Sequence, residues 1–179
     1  MPLLMLQDLP RYECLLRAAE QYPTLNPTAS EAFLHLLRTG DMVFAAEAAF
    51  LGKHGISQGR FTVLMLLNCC SDVPCTPADL AARAGVTRAA MTGLVDKLEK
   101  DGIVTREPDA EDRRSVLVQL TRVGQALLER MLPDYFACVA GIMEPLQPAE
   151  RKQLVRLLQK LQRGLTSQES TPEAPALTA

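Results

Sequence analysis

Residues 76–102 read TPADLAARAGVTRAAMTGLVDKLEKDG, and their punctuation decides the fold. Thr76 is a helix cap, Pro77 suits the first helical position, Asp79 lies in the first turn and Gly85 is a stop. After the link Gly85–Val86, Thr87 opens a second helix that ends at Gly102. Two helices joined by so short a glycine-containing turn make a helix-turn-helix. In the second helix Met91, Leu94, Val95 and Leu98 share one face and must pack inward. Arg88, Ala89, Thr92, Gly93 and Asp96 are left facing out. The N-terminal half of that outer face is small and polar, as a helix seated in a major groove requires. The first N–H groups of the helix suit a phosphate oxygen.

Directly downstream, IVTRE (103–107) and SVLVQL (115–120) alternate as strands, which makes the motif winged. The turn between them is charged: Glu107, Asp109, Glu111 and Asp112 precede Arg113 and Arg114. With a formal net charge of −2 over 179 residues, these arginines are no part of a basic coat. If such a chain binds DNA, it does so through a local field, because its global field mildly repels phosphate. A wing that reaches past the recognition helix meets the neighbouring minor groove, where an inserted arginine gains most if the groove is narrow. The acids at the tip can brace the two guanidinium groups and discourage indiscriminate phosphate binding.

Helices flank this motif on both sides. DLPRYECLLRAAEQYP (8–23) places Leu9, Tyr12, Leu15, Leu16 and Ala19 on one face, and Pro23 and Pro27 close it. Thr28 with Glu31 three residues on reads as a capping box, opening a helix that buries Phe33, Leu37, Phe44 and Leu51. Gly52 and Gly55 end it, and Ser57 caps the apolar helix QGRFTVLMLLNCC. Beyond the wing, one helix begins at Thr121 and contains Pro133, which should kink or split it. The last helix carries Leu154, Leu157, Leu158, Leu161 and Leu165 on one stripe.

The expected fold class is mainly α with a small β-wing: a winged helix-turn-helix lobe plus an N- and C-terminal helical dimerisation lobe. The expected divisions are an extra helix at 1–27, a dimerisation region at 28–56 and 121–165, the DNA-binding region at 57–120, and a disordered tail at 166–179. No apolar run approaches ~18 residues, so no membrane span is expected. The N-terminus lacks a basic region before its apolar residues, and five cysteines in irregular spacing argue against a disulfide framework. A cytoplasmic protein is expected.

The sequence resembles the DNA-binding lobe of the multiple-antibiotic-resistance regulator (MarR) family, most densely from about Ser57 to Leu128, and helix order extends the resemblance more weakly to Leu165. Its most specific piece is the Asp-x-Arg of the wing, Asp112 and Arg114, followed by Leu120–Thr121. The resemblance implies a homodimeric transcriptional regulator, most often a repressor. Its partner is double-stranded DNA carrying a pseudo-palindromic operator, from which a small aromatic or phenolic effector releases it. It implies that Arg114 enters the minor groove and that Asp112 holds it. DNA contacts are expected from Thr87, Arg88, Ala89, Thr92, Gly93, Lys97, Arg113 and Arg114. Many members carry an arginine where this chain has Gly93, so a side-chain contact is lost there.

The effector pocket implied by the family falls on His35, Arg38, Phe61 and Met65, with Arg38 for a carboxylate and Phe61 or Met65 for a ring. Urate is disfavoured, since the chain has no Trp and Thr62 stands where urate-responsive relatives have Asp. Cys69, Cys70 and Cys75 offer an alternative, thiol-based switch. Their spacing lacks the paired C-x-x-C knuckles of a zinc site, and no metal or cofactor is expected. Cys14 sits on the wrong helix to match hydroperoxide-sensing relatives. A winged helix used for protein contact is the other alternative. Phosphate-loop, dinucleotide and nucleophile-elbow motifs are all missing, which argues against an enzyme.

Overall fold

The capping chemistry of the central motif forms as expected. Thr76 Oγ1 accepts from the Asp79 N–H at 3.1 Å, and the Asp79 carboxylate accepts from the Thr76 N–H at 3.0 Å. That box starts α4 (Pro77–Ala84), and Gly85 ends it with a φ of +65°, a left-handed conformation that glycine adopts without strain. Thr87 caps α5 (Arg88–Lys100) by accepting from the Ala90 N–H at 3.2 Å. In this computed structural model, residues 2–4, 8–69, 75–108 and 115–169 are described. Asp112, Arg113, Arg114, Cys70 and the chain after residue 169 lie outside them.

Before the motif come α1 (Tyr12–Gln21), α2 (Pro27–Lys53) and α3 (Gln58–Cys69). After it, β1 (Val104–Pro108) pairs antiparallel with β2 (Val116–Leu120), Val104 opposite Leu120 and Pro108 opposite Val116. Cys75 adds an isolated antiparallel bridge to β2, its carbonyl accepting from the Val118 N–H at 2.9 Å. The chain then forms α6 (Arg122–Met143) and α7 (Pro148–Glu169). Two compact units result, one through Cys138 and one from Val139.

The core of the first unit lies beneath the helix-turn-helix. Met91, Val95 and Leu98 of α5 are fully buried, with Leu64 of α3, Leu80 of α4, Val104 and Val118 of the wing, and Leu128 and Met131 of α6. Each such side chain contributes roughly 1.5–3 kcal/mol of apolar burial, so this is where the recognition helix is anchored.

Four sequence expectations are corrected. The cap of α2 is Asn26, which accepts from the Ala29 N–H at 3.1 Å and from the Thr28 hydroxyl at 2.8 Å. Pro27 then fills the first helical position, which asparagine followed by proline favours over the Thr28 start. Phe33 and Phe44 are not buried; each is 59% exposed, whereas Leu51 is fully buried. On α1, Leu15 is buried but Leu16 is 46% exposed. Pro133 does not split α6, which runs unbroken through it. Glu129, whose carbonyl loses its partner there, is exposed, so water can serve it. In the second unit α7 continues past Leu165 to Glu169, and Leu157, Leu161 and Leu165 are all more than half exposed.

Candidate nucleic-acid interface

α5 divides as its periodicity requires. Its inner face is sealed by Met91, Val95 and Leu98, with Leu94 partly buried against them. Arg88, Ala89, Thr92, Gly93, Asp96 and Lys97 are exposed, and so is the cap Thr87. Thr87 occupies the Ala90 N–H, which leaves the N–H groups of Arg88 and Ala89 as the unpaired donors of the first turn. Such a helix end attracts an anion. The Thr92 hydroxyl donates to the Arg88 carbonyl at 2.9 Å, and the exposed side chain keeps its hydroxyl oxygen as an acceptor.

A side chain at Gly93 would meet nothing within 4 Å. Packing therefore does not require glycine there. The residue leaves a shallow place on the exposed face of α5, where alanine would favour the helix by about 0.5–1 kcal/mol.

The wing is fastened to this helix by a residue that sequence reasoning missed. Arg106 of β1 donates to Asp96 at 2.6 Å and to Glu99 at 2.5 Å. Burial works against the charge of Arg106. The hydrogen bonds and charges of Asp96 and Glu99 outweigh it and hold the guanidinium pKa above its usual value. The signal was present as Asp96 and Glu99, three apart on one helical face, with an arginine two residues into the next strand. Asp96, outward as expected, serves this clasp. At the end of the same helix Asp101 pairs with Arg60 of α3.

The wing also seats α6. Thr121 donates to the Gly102 carbonyl at 2.7 Å and accepts from the Gly124 N–H at 3.1 Å, capping the helix. A Cβ on Gly124 would run into the Ile103 carbonyl oxygen, so α6 rests there backbone to backbone.

The four effector candidates are placed differently from one another. Phe61 is only 4% exposed, with its ring 4.7 Å from that of Tyr135. Met65 is partly buried beside it in the same core. His35 is exposed. Arg38 is half-buried near Asp41, whose carboxylate accepts from the N–H groups of Leu3 and Leu4 at 2.6 and 2.9 Å. Those two bonds and the Arg38 charge lower the Asp41 pKa, against some desolvation. Glu47, which ties α2 to α3 through Gln58 at 2.8 Å, lies twelve residues beyond His35, about 18 Å along the helix axis.

Among the cysteines, Cys69 is exposed at the end of α3 and Cys75 is buried in the core behind the wing. Among the described residues, no cluster of His, Cys, Asp and Glu is arranged to hold a metal ion, and no helix is long and apolar enough to cross a membrane.

Comparison with known proteins agrees with this geometry. A MarR family model matches residues 56–116. The HTH-type transcriptional repressor YetL of Bacillus subtilis (strain 168) is 35% identical over 153 residues, covering 86% of this chain and 92% of that protein. Bordetella bronchiseptica BpsR, whose solved structure addresses regulation of its DNA binding by 6-hydroxynicotinic acid, is 29% identical with a TM-score of 0.63. That match covers 72% of this chain and 91% of BpsR. Wild-type apo MarR from E. coli is 26% identical with a TM-score of 0.59, covering 73% and 94% of the two chains.

Proposed function

The chain belongs to the MarR family of DNA-binding transcriptional regulators, and from that premise we propose that it is a homodimeric repressor released from a pseudo-palindromic operator by a small aromatic ligand. It is a regulator and not an enzyme. The observation that carries the reading is the two-faced recognition helix. Met91, Val95 and Leu98 are fully buried, while Arg88, Thr92 and Gly93 are exposed ahead of a wing clasped by Arg106.

In this reading Thr87, Arg88, Ala89, Thr92, Gly93 and Lys97 meet the major groove and its phosphates. Arg113 and Arg114 reach the minor groove, with Asp112 bracing Arg114. The helices at 28–56 and 121–165 form the dimer. Support comes from apolar surface that a monomer leaves in water: Phe33, Met42 and Phe44 on α2 and, separately, Leu157, Leu161 and Leu165 on α7. The repressor YetL supports repression, and BpsR, whose structure addresses regulation of DNA binding by 6-hydroxynicotinic acid, supports ligand control.

The test begins with genomic fragments recovered on the purified protein. They should share half-sites whose centres lie about one helical turn, ~34–36 Å, apart. Sedimentation at micromolar concentration should give a dimer. Arg114→Ala should weaken binding most on operators with A·T-rich flanks, and Thr92→Ala should alter base preference inside the half-site by about 1–3 kcal/mol per contact. A stably folded monomer, or equal affinity for random duplex, would overturn the proposal.

A further inference from the structure

A cleft of about 610 Å³ lies among α3, the end of α5 and the first turns of α6, away from the DNA-facing residues of α5. Its charged lining is Arg60, Arg122 and Arg130 against one carboxylate, Asp101. Three positive groups and one negative leave two positive charges in excess, in a chain whose net charge is −2. Among the described residues the guanidinium groups of Arg122 and Arg130 have neither an ion-pair nor a hydrogen-bond partner. Arg60 is 16% exposed and gives one terminal nitrogen to Asp101, while its Nε is buried without an acceptor.

The rest of the wall is largely apolar, with Ile56, Ile103, Val123 and Leu127, and the imidazole of His54 is its one further polar side chain. Arg122, Ala126 and Arg130 recur every four residues, so they form one stripe with a cation at each end, about 12 Å apart along the axis. Inorganic phosphate would satisfy the charge and leave the apolar wall uncovered. A simple hydrocarbon would do the reverse.

We propose that this cleft binds a small organic dianion whose two anionic groups sit on an apolar body, such as a benzene dicarboxylate. One anionic group competes with Asp101 for Arg60, and the other meets the α6 arginines. Because Asp101 closes the C-terminal end of the recognition helix, ligand entry removes the ion pair that ties that end to α3. This last consequence rests on the ligand-responsive reading above; the binding itself does not.

The full chain, free of DNA, is titrated with fluorinated isophthalate and followed by fluorine NMR. Saturable binding is expected, at least about tenfold tighter than that of para-fluorobenzoate or of inorganic phosphate in competition. Replacing both exposed arginines (Arg122→Ala with Arg130→Ala) should weaken it about tenfold or more, whereas Arg17→Ala on α1 should not change it. Asp101→Asn should tighten it several-fold, because the competing carboxylate is gone; a poorly folded variant cannot mimic a gain. No saturation, equal affinity for the monoanion, indifference to the arginine pair, or weakening by Asp101→Asn in a protein with native circular dichroism would each overturn the site. Since no DNA is present, failure here leaves operator binding standing, and failure of operator binding leaves the cleft standing.

Discussion

Arg106 on the first wing strand donates to the carboxylate of Asp96 on the recognition helix at 2.6 Å, and its second terminal nitrogen holds Glu99. The base of the wing and the helix therefore move together. A helix in one groove and a wing tip in the next can act as one reader only if the angle between them is held. This clasp holds it with charge, at a place open enough to water that each pair contributes modestly to stability.

Arg106→Ala should accordingly lower folding stability by about 1 kcal/mol or less, the range of partly exposed ion pairs. Operator affinity should fall further, by about tenfold, because the wing contacts no longer arrive in register with those of α5. The salt dependence of binding should keep its slope, since no phosphate contact is lost. A slope reduced by about one would show instead that Arg106 itself touches phosphate.

Gly93 and Gly124 should respond to alanine with opposite signs. At Gly93 the methyl group meets open space, so thermal unfolding should show a gain of roughly 0.5–1 kcal/mol. In the proposed reading, where this face of α5 meets the major groove, operator affinity should fall because the shallow place is filled. A gain in both quantities would remove Gly93 from the interface.

At Gly124 the new methyl group meets the Ile103 carbonyl and forces α6 off the wing. Overpacking of this kind costs about 1–3 kcal/mol, more than the helix gains from alanine. Denaturant unfolding of Gly124→Ala should show that loss. An unchanged midpoint would mean that α6 is not seated on the Ile103 backbone.

Tyr135 donates to Glu47 at 2.9 Å, and desolvation, that hydrogen bond and the Glu47 charge raise its pKa from 10.0 to about 12. The folded state keeps its proton longer than the unfolded chain does. Stability from this group is therefore intact below pH 10 and lost as pH climbs through about 12. Tyrosinate absorbance should show a late step that Tyr135→Phe removes, and the variant should lose less stability across that window. If Glu47→Gln leaves the step in place, the carboxylate is not its cause.

The helix-turn-helix was legible because its signals act over three or four residues. The Thr76–Asp79 box, the left-handed Gly85 and the Thr87 cap are hydrogen-bonding and dihedral preferences complete within one turn of chain. The inward stripe of Met91, Val95 and Leu98 follows from helical period alone. The same local rules also misplace things when two candidates compete. Thr28 with Glu31 resembles a cap, but Asn26 ahead of Pro27 wins.

Arg60 with Asp101, Gly124 on Ile103, and Tyr135 with Glu47 join residues far apart in the chain. Each exists only because of how whole elements pack: α3 against the end of α5, α6 against the Ile103 backbone, and α6 against α2. No period or cap encodes that approach, since side-chain partners across a packed interface depend on where whole elements come to rest. Phe33 and Phe44 make the same point from the other side: hydrophobicity says that their face must be covered, and only the packed chain says that its own first unit leaves both exposed. Local bonding chose the motif. Long-range packing decided which charges clasp it and which surfaces were left to bind.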